Sequence, residues 1–119
     1  GHNIQAFDLP VLRDALDIYC INKYISKKQY IDTSKEVTKS TGQRYSLNNL
    51  ATWTLDNSKL YSSEEAPILW KDGKYSEVAK YCLKDCELVY DLWKHGVDNG
   101  IVKGFSLDEE LEKEIEVIW

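Results

Sequence analysis

A tyrosine and an aspartate share one turn of the most regular helical pattern in the sequence. Apolar residues recur at three- and four-residue spacing between Tyr75 and Trp93, which predicts a long amphipathic helix. With Cys82 at the centre of the apolar face, Asp85 lies roughly 60° away, on its margin. Tyr81 precedes Asp85 by one turn, so the phenol and the carboxylate point into the same space. A buried carboxylate needs a partner, and two interpretations stay open: a chemical site, or a core tyrosine that donates to an edge aspartate.

A second carboxylate stands near the start of the chain. Asp8 precedes Pro10 and an apolar stripe at helical spacing, which predicts a first helix with Asp8 near its N-cap. The members of the stripe are Leu12, Ala15, Leu16 and Tyr19. A capping role explains Asp8 as well as a chemical role does, because aspartate is a common cap before a first turn that contains proline.

The remaining elements follow from capping and turn residues. Residues 30–33 suit a short strand, residues 33–36 form a capping box for a second helix that Gly42 ends, and Ser46 caps a third helix. Residues 56–58 indicate a turn, and the stretch up to Pro67 a loop. The long helix begins near residues 72–73, buries Tyr75, Val78, Ala79, Cys82, Cys86, Val89 and Trp93, and ends at Gly96 and residues 99–100. Residues 101–119 suit a terminal hairpin. The sequence thus predicts one mainly helical domain over residues 1–119, with a few short strands.

Composition limits the functional classes. No apolar run approaches the length of a membrane span, and no secretory leader is recognisable. Three cysteines without a Cys-x-x-Cys pair predict free thiols and a cytoplasmic location. The net charge of -5 argues against diffuse phosphate binding. It does not exclude nucleic acid, because an acidic site that holds divalent cations brings its own positive charge to a phosphodiester.

Three sequence blocks occur in an order that resembles a known nuclease family. GHNIQAFDLPVL at residues 1–12 resembles the second exonuclease motif of the DEDD nucleases, in the form found in family B DNA polymerases. SLNNLATWTLDNSKL at residues 46–60 resembles the helix and lysine that lie between the second and third motifs, and YCLKD at residues 81–85 resembles the tyrosine variety of the third motif. Helicase-associated relatives carry the same blocks and a similar terminal hairpin. The ordered set is far more specific than any single block.

This resemblance implies an α/β fold of the RNase H-like class and 3′-to-5′ hydrolysis of nucleic-acid phosphodiesters. It makes Asp85 a direct ligand of the catalytic metal, Tyr81 the residue that positions or activates the attacking water, and Asp8 a looser support of the second metal. The two ions would be Mg²⁺ or Mn²⁺, which prefer oxygen ligands. By the same analogy Asn3, Phe7 and Lys59 would lie near the substrate, although a structural role for Asn3 fits equally well.

The first motif of the family is missing from this sequence. An Asp-x-Glu on an apolar strand is expected upstream of Gly1, and Asp32 and the acidic residues 64–65 and 108–110 are wrongly placed to replace it. The chain also lacks Met, so we interpret it as the C-terminal portion of a single RNase H-like exonuclease domain. Without the N-terminal strands, the isolated chain is expected to be inactive, to expose apolar surface and to be able to self-associate. One alternative is a degenerate exonuclease fold that serves as a nucleic-acid or protein docking module, and another is an unrelated helical interaction module whose resemblance to the family is a coincidence.

Other residues suggest weaker hypotheses. Cys82 and Cys86 share a helix face and in principle could ligate a metal with His2 or His95, but small core thiols fit their spacing better. His95 near the helix end suits a favourable interaction with the helix dipole. Trp53 and Trp70 are open candidates for stacking on bases.

Overall fold

The computed structural model describes residues 1–6, 8–15, 17–28, 30–56 and 65–119. The described parts contain six helices followed by a β-hairpin. The helices are α1 (Asp8–Asp14), α2 (Ile21–Ser26), α3 (Thr33–Thr41), α4 (Leu47–Leu55), α5 (Glu65–Lys71) and α6 (Tyr75–Asn99), and the strands are β1 (Ile101–Ser106) and β2 (Leu111–Glu116). This architecture confirms a mainly helical chain with two short antiparallel strands.

The first predicted helix is shorter than its apolar stripe suggests. α1 ends at Asp14 and a separate helix, α2, begins at Ile21. Its buried residue is Leu9, whereas Ala15 and Tyr19 of the predicted stripe are exposed. The seven residues of α1 make about two turns and bury little surface, so Leu9, rather than a long stripe, is its main anchor.

The second predicted helix, α3, begins one residue earlier than the capping box indicated, and the strand predicted at residues 30–33 is not formed. Residues 30–32 have no strand partner in the described chain, and Asp32 is the N-cap of α3, with its carboxylate accepting from the backbone N–H of Lys35. Asp is a strong N-cap residue because its oxygen satisfies a backbone donor of the first turn. Gly42 ends α3 in the left-handed conformation, with φ of 76°, as predicted.

Capping signals locate α4 correctly. The Ser46 hydroxyl accepts from the Asn49 N–H at 3.1 Å, and Asp56 ends the helix with a φ of 52°. The other two residues of the predicted turn, and most of the loop predicted up to Pro67, belong to residues 57–64, outside the described chain. The end of that loop prediction is wrong, because Pro67 lies inside α5, where proline in the first turn removes no helical hydrogen bond.

The long helix α6 extends three residues beyond Gly96 and ends at Gly100, which is left-handed with φ of 73°. Gly96 does not terminate the helix as predicted, because its role is in packing. A Cβ at that position would lie 2.6 Å from the Trp119 ring, and the Trp119 indole N–H donates to the Trp93 carbonyl oxygen at 2.9 Å. The absence of a side chain at Gly96 thus lets the chain end fold back onto α6.

The predicted hairpin is confirmed, and side chains of α4 cap the edge of β1 that faces away from β2. β1 pairs with β2 in antiparallel register, with Val102 opposite Ile115. On the other edge of β1, the Thr54 hydroxyl bonds both backbone groups of Lys103 at 2.8 Å, and the Asn49 side-chain amide bonds both backbone groups of Phe105 at 2.8–2.9 Å. Side chains of α4 therefore take the place of a third strand.

The core lies between α3, α4, the hairpin and the C-terminal half of α6. Its buried residues are Val37, Tyr45, Leu47, Leu50, Ala51, Leu88, Leu92, Val102, Ile115 and Val117. Gly104 permits close packing, since a Cβ there would lie 2.8 Å from the Tyr45 ring. This core uses a different face of α6 from the predicted one: Leu88 and Leu92 point roughly 120° and 80° away from Cys82.

The predicted buried face of α6 is therefore wrong for most of its members. Tyr75, Ala79, Cys82 and Cys86 are exposed, whereas Val78, Val89 and Trp93 are half-buried. The wheel is apolar over more than half of its circumference, and α4 and the hairpin cover only one part of that arc. In the part of the chain that the structure describes, no helix combines the length and apolar character of a membrane span.

Candidate active site

Three predicted catalytic residues from distant parts of the sequence line one groove. The groove encloses about 1150 Å³, with Asp8 contributed by α1, and Tyr81 and Asp85 contributed by α6. Its remaining walls come from the N-terminal segment, from Lys28 and residues just before α3, from the start of α4 and from one side of α6. These residues are Gly1, His2, Ile4, Lys28, Tyr30, Ile31, Thr33, Leu47, Cys82, Cys86, Val89, Tyr90 and Trp93. The structure thus brings together Asp8 of the first sequence block with Tyr81 and Asp85 of the third, the blocks that resemble the second and third family motifs.

Asp32 fixes the segment that leads to Asp8. Its buried carboxylate accepts from the backbone N–H of Asn3 at 2.8 Å and of Gln5 at 3.0 Å, in addition to its cap of α3. Several backbone donors on one carboxylate compensate the cost of burying its charge. The turn formed by residues 3–6 is thereby attached to the start of α3, immediately before Asp8.

His2 provides a second attachment for the same segment. Its Nε2 lies 2.9 Å from the Tyr45 carbonyl oxygen, to which an N–H must donate, and its Nδ1 lies 2.9 Å from the Thr33 hydroxyl. Both ring nitrogens are therefore engaged, and this geometry removes His2 from the hypothesis of a metal site shared with Cys82 and Cys86. The sequence offered no signal for this role, because both partners are distant along the chain.

Partial burial is the main influence on the acidity of Asp8. It raises the pKa of the Asp8 carboxyl above its ordinary value; the Gly1 amino group opposes this shift and the Asp32 carboxylate adds to it. Burial also lowers the pKa of the Gly1 amino group, against the effects of Asp32, Asp8 and Cys86. Gly1, Asp8 and Cys86 all line the groove.

Tyr81 and Asp85 lie one turn apart on α6, as the periodicity predicted. Both side chains are half-buried, and the Oδ1 atom of Asp85 is shielded from solvent. The indole N–H of Trp93, further along the groove, is also buried and has no hydrogen-bond acceptor among the described residues. The groove therefore joins a shielded carboxylate to an apolar wall, which is an environment that strengthens electrostatic interactions with a bound group.

The predicted substrate-contacting residues have different outcomes. Asn3 does not line the groove: its backbone N–H donates to Asp32, with a φ of 59°, and its side-chain oxygen lies 3.5 Å from the Arg44 guanidinium. The structural alternative for Asn3 therefore has direct support in these contacts. Phe7 and Lys59 lie outside the described residues.

The described donors do not complete a metal site. Asp8 and Asp85 provide oxygen ligands of the kind that Mg²⁺ and Mn²⁺ prefer. However, no group of three or more His, Cys, Asp or Glu side chains within the described residues is arranged to hold an ion. Two carboxylates on one groove are fewer protein ligands than a tightly held ion requires, so we derive no metal-dependent step from this chain.

Cys82 and Cys86 depart from their predicted core setting, and Trp53 and Trp70 each contact another aromatic ring of the chain. All three cysteines are free, as predicted, but Cys82 and Cys86 are exposed rather than core thiols. His95 does not approach them: its Nδ1 lies 3.0 Å from the Ile101 carbonyl oxygen, joining the end of α6 to β1. Trp53 stacks on Phe105 with ring centroids 5.3 Å apart, and the exposed Trp70 meets Tyr75 edge to face at 4.6 Å.

Comparison with models of known protein families, with curated proteins and with solved structures gives no match for this chain. Any functional assignment therefore has to rest on the residues of the groove and on the order of the sequence blocks that supply them.

Proposed function

We propose that this chain is the C-terminal part of an RNase H-like 3′-to-5′ exonuclease domain that hydrolyses nucleic-acid phosphodiesters. The observation that carries the proposal is the convergence of Asp8, Tyr81 and Asp85 on one groove. Two sequence blocks that resemble consecutive motifs of one nuclease family thus supply residues to one groove, which is the arrangement that an active site of that family requires.

Each of the three residues has a role that its setting supports. Asp85, with one oxygen shielded beside an apolar wall, would be the direct ligand of a Mg²⁺ or Mn²⁺ ion in the complete domain. Tyr81, one turn away, would orient the attacking water through its hydroxyl. Asp8, attached to α3 through the Asp32 contacts of the preceding turn, would give looser support from the opposite wall.

The other ligands in this proposal come from an Asp-x-Glu on a preceding strand of the same domain. Asp32 and the described acidic run after β1 do not replace it: Asp32 is an N-cap, and Asp108, Glu109 and Glu110 form the exposed hairpin turn. The exposed apolar residues of α6 provide a surface that such strands would cover. The chain alone is therefore expected to be inactive and to self-associate through this surface, and its free thiols fit a cytoplasmic location.

Titration of Mn²⁺ into the purified chain tests the half-site. Because a paramagnetic ion broadens nearby signals, the side-chain carboxyl signals of Asp8 and Asp85 should broaden first in NMR spectra, while Asp91 on the solvent side of α6 remains sharp. Asp85→Asn should remove the preferential effect on Asp8. If Asp91 broadens as early as Asp8 and Asp85, the groove has no preference for the ion and the proposal loses its support.

A nuclease assay tests the expected inactivity of the isolated chain. With Mg²⁺ or Mn²⁺ and a labelled single-stranded oligonucleotide, the pure chain should release no nucleotides. Metal-dependent release that Asp85→Asn abolishes would contradict this expectation and show that the chain completes its own site.

A docking module of degenerate exonuclease fold is the second candidate. The lack of a three-ligand group among the described residues fits this candidate as well as it fits the first. The two candidates differ in the whole protein: Tyr81→Phe and Asp85→Asn should abolish nuclease activity under the first proposal and leave partner binding unchanged under the second.

A further inference from the structure

The two edges of the hairpin are treated differently by the rest of the chain. Every outward backbone group of β1 at Lys103 and Phe105 is bonded by Thr54 or Asn49 of α4, and the Ile101 carbonyl accepts from His95. In an antiparallel pair, opposing residues either exchange both backbone bonds or neither. Since Lys103 and Phe105 direct theirs to α4, their cross-strand partners must direct theirs away from β1.

Those partners are glutamates on β2. Glu114 lies opposite Lys103 and Glu112 opposite Phe105, and Glu116 continues the series opposite Ile101. No described residue bonds the outward backbone groups of these three glutamates, either through its side chain or through its backbone. Within the described residues, the outward backbone groups of β2 are therefore an unbonded ladder of donors and acceptors, in contrast to the capped edge of β1.

The glutamate side chains decide what this edge accepts. Residues two apart on a strand point to one face, so Glu112, Glu114 and Glu116 form an exposed row. Lys103 approaches Glu112 at 3.9 Å, and no described residue forms an ion pair with Glu114 or Glu116. A second copy of β2 on this edge would place glutamate beside glutamate, which like-charge repulsion disfavours. A strand with Lys or Arg at alternate positions would instead pair with the row.

We propose that β2 binds an extended basic segment of a partner protein as a third strand, through its outward backbone groups and the row of Glu112, Glu114 and Glu116. The backbone ladder gives the affinity and the alternate glutamates give the charge selectivity. This inference is independent of the proposed nuclease function, because it uses neither the groove nor its carboxylates.

A designed heptapeptide with lysine at alternate positions and valine between them tests the proposal by fluorescence anisotropy at low salt. The chain should bind it, and Glu114→Lys should weaken binding about tenfold, since it replaces an attraction by a repulsion. Glu87→Lys makes the same change of net charge on the exposed side of α6 and should alter the affinity less than about twofold. Equal weakening by both variants would show that the peptide responds only to the net charge of the chain, and would overturn the proposal.

Two further measurements distinguish strand addition from a loose charge contact. N-methylation of alternate peptide bonds in the heptapeptide, on the edge that faces β2, should abolish binding because it removes the ladder donors. Amide exchange at Glu112, Glu114 and Glu116 should be fast in the free chain and slow in the complex. Unchanged binding of the methylated peptide, or protection that rises with protein concentration without peptide, would overturn the proposal, the latter in favour of a second copy on this edge.

Discussion

The two sides of α6 bury very different amounts of apolar surface, although both are rich in apolar residues. Leu88 and Leu92 are fully buried against α4 and the hairpin, whereas Leu83 is 62% and Tyr90 58% exposed. The closed side gains from transfer of apolar surface out of water, and the open side gains little from it. The chain is therefore stabilised mainly by the closed side of α6, which carries Leu88 and Leu92. The groove and its carboxylates lie at the boundary between this side and the open side, which carries Leu83 and Tyr90.

The largest expected effect comes from removing a leucine from the closed side. Leu92→Ala should lower the free energy of unfolding by about 2–5 kcal/mol, because it deletes a buried side chain and leaves a cavity. Leu83→Ala, the matched change on the open side, should cost less than about 0.5 kcal/mol. Urea denaturation of both variants measures the contrast, and comparable losses would show that the open side is covered in solution.

Overpacking the hairpin should have the next largest effect. The Cβ of Gly104→Ala would meet the Tyr45 ring at 2.8 Å, so we expect a loss of about 1–3 kcal/mol in the free energy of unfolding. Combining it with Tyr45→Val, which removes the ring, should make the glycine replacement less costly than it is alone. A loss from Gly104→Ala that is identical in both backgrounds would refute this contact as the cause.

Loss of an edge cap should be smaller. Thr54→Val keeps the shape but leaves both backbone groups of Lys103 without their bonds, at an expected cost of about 1–2 kcal/mol. Thr52→Val is the control, because its hydroxyl bonds only the Asn48 carbonyl of its own helix and lies exposed. In thermal denaturation, the midpoint temperature of Thr54→Val should be clearly lower than that of Thr52→Val.

The smallest effect concerns Asp8 in the groove and depends on pH. Burial raises the pKa of Asp8 from 3.8, so the folded state favours the protonated form, and stability is lost as the pH rises through the folded pKa. Asp8→Asn removes this penalty, and its stability relative to the original chain should increase as the pH rises from about 3 toward neutrality. A difference that is constant over this range would contradict a raised pKa at Asp8.

Much of the local structure was determined by short-range chemistry in the sequence. Ser46, Gly42 and Gly100 locate helix ends because side-chain caps and left-handed glycines act within one turn. Alternation over residues 101–119 located the hairpin, and periodicity placed Tyr81 and Asp85 one turn apart. Each of these depends only on neighbours along the chain.

Tertiary structure alone decided which apolar arc of α6 is buried and where the distant residues meet. The apolar arc is so wide that periodicity cannot predict which part of it is buried. In the fold, α4 and the hairpin pack on Leu88 and Leu92 and leave Cys82 exposed. From the sequence, Asp32 is only an acidic residue that is wrongly placed to replace the first motif. In the fold, its carboxylate accepts hydrogen bonds from the turn before Asp8. The sequence by itself determined that Asp8, Tyr81 and Asp85 stand on helical patterns. Only long-range packing brought Asp8 into one groove with the two residues of α6, because nothing local links positions so far apart in the sequence.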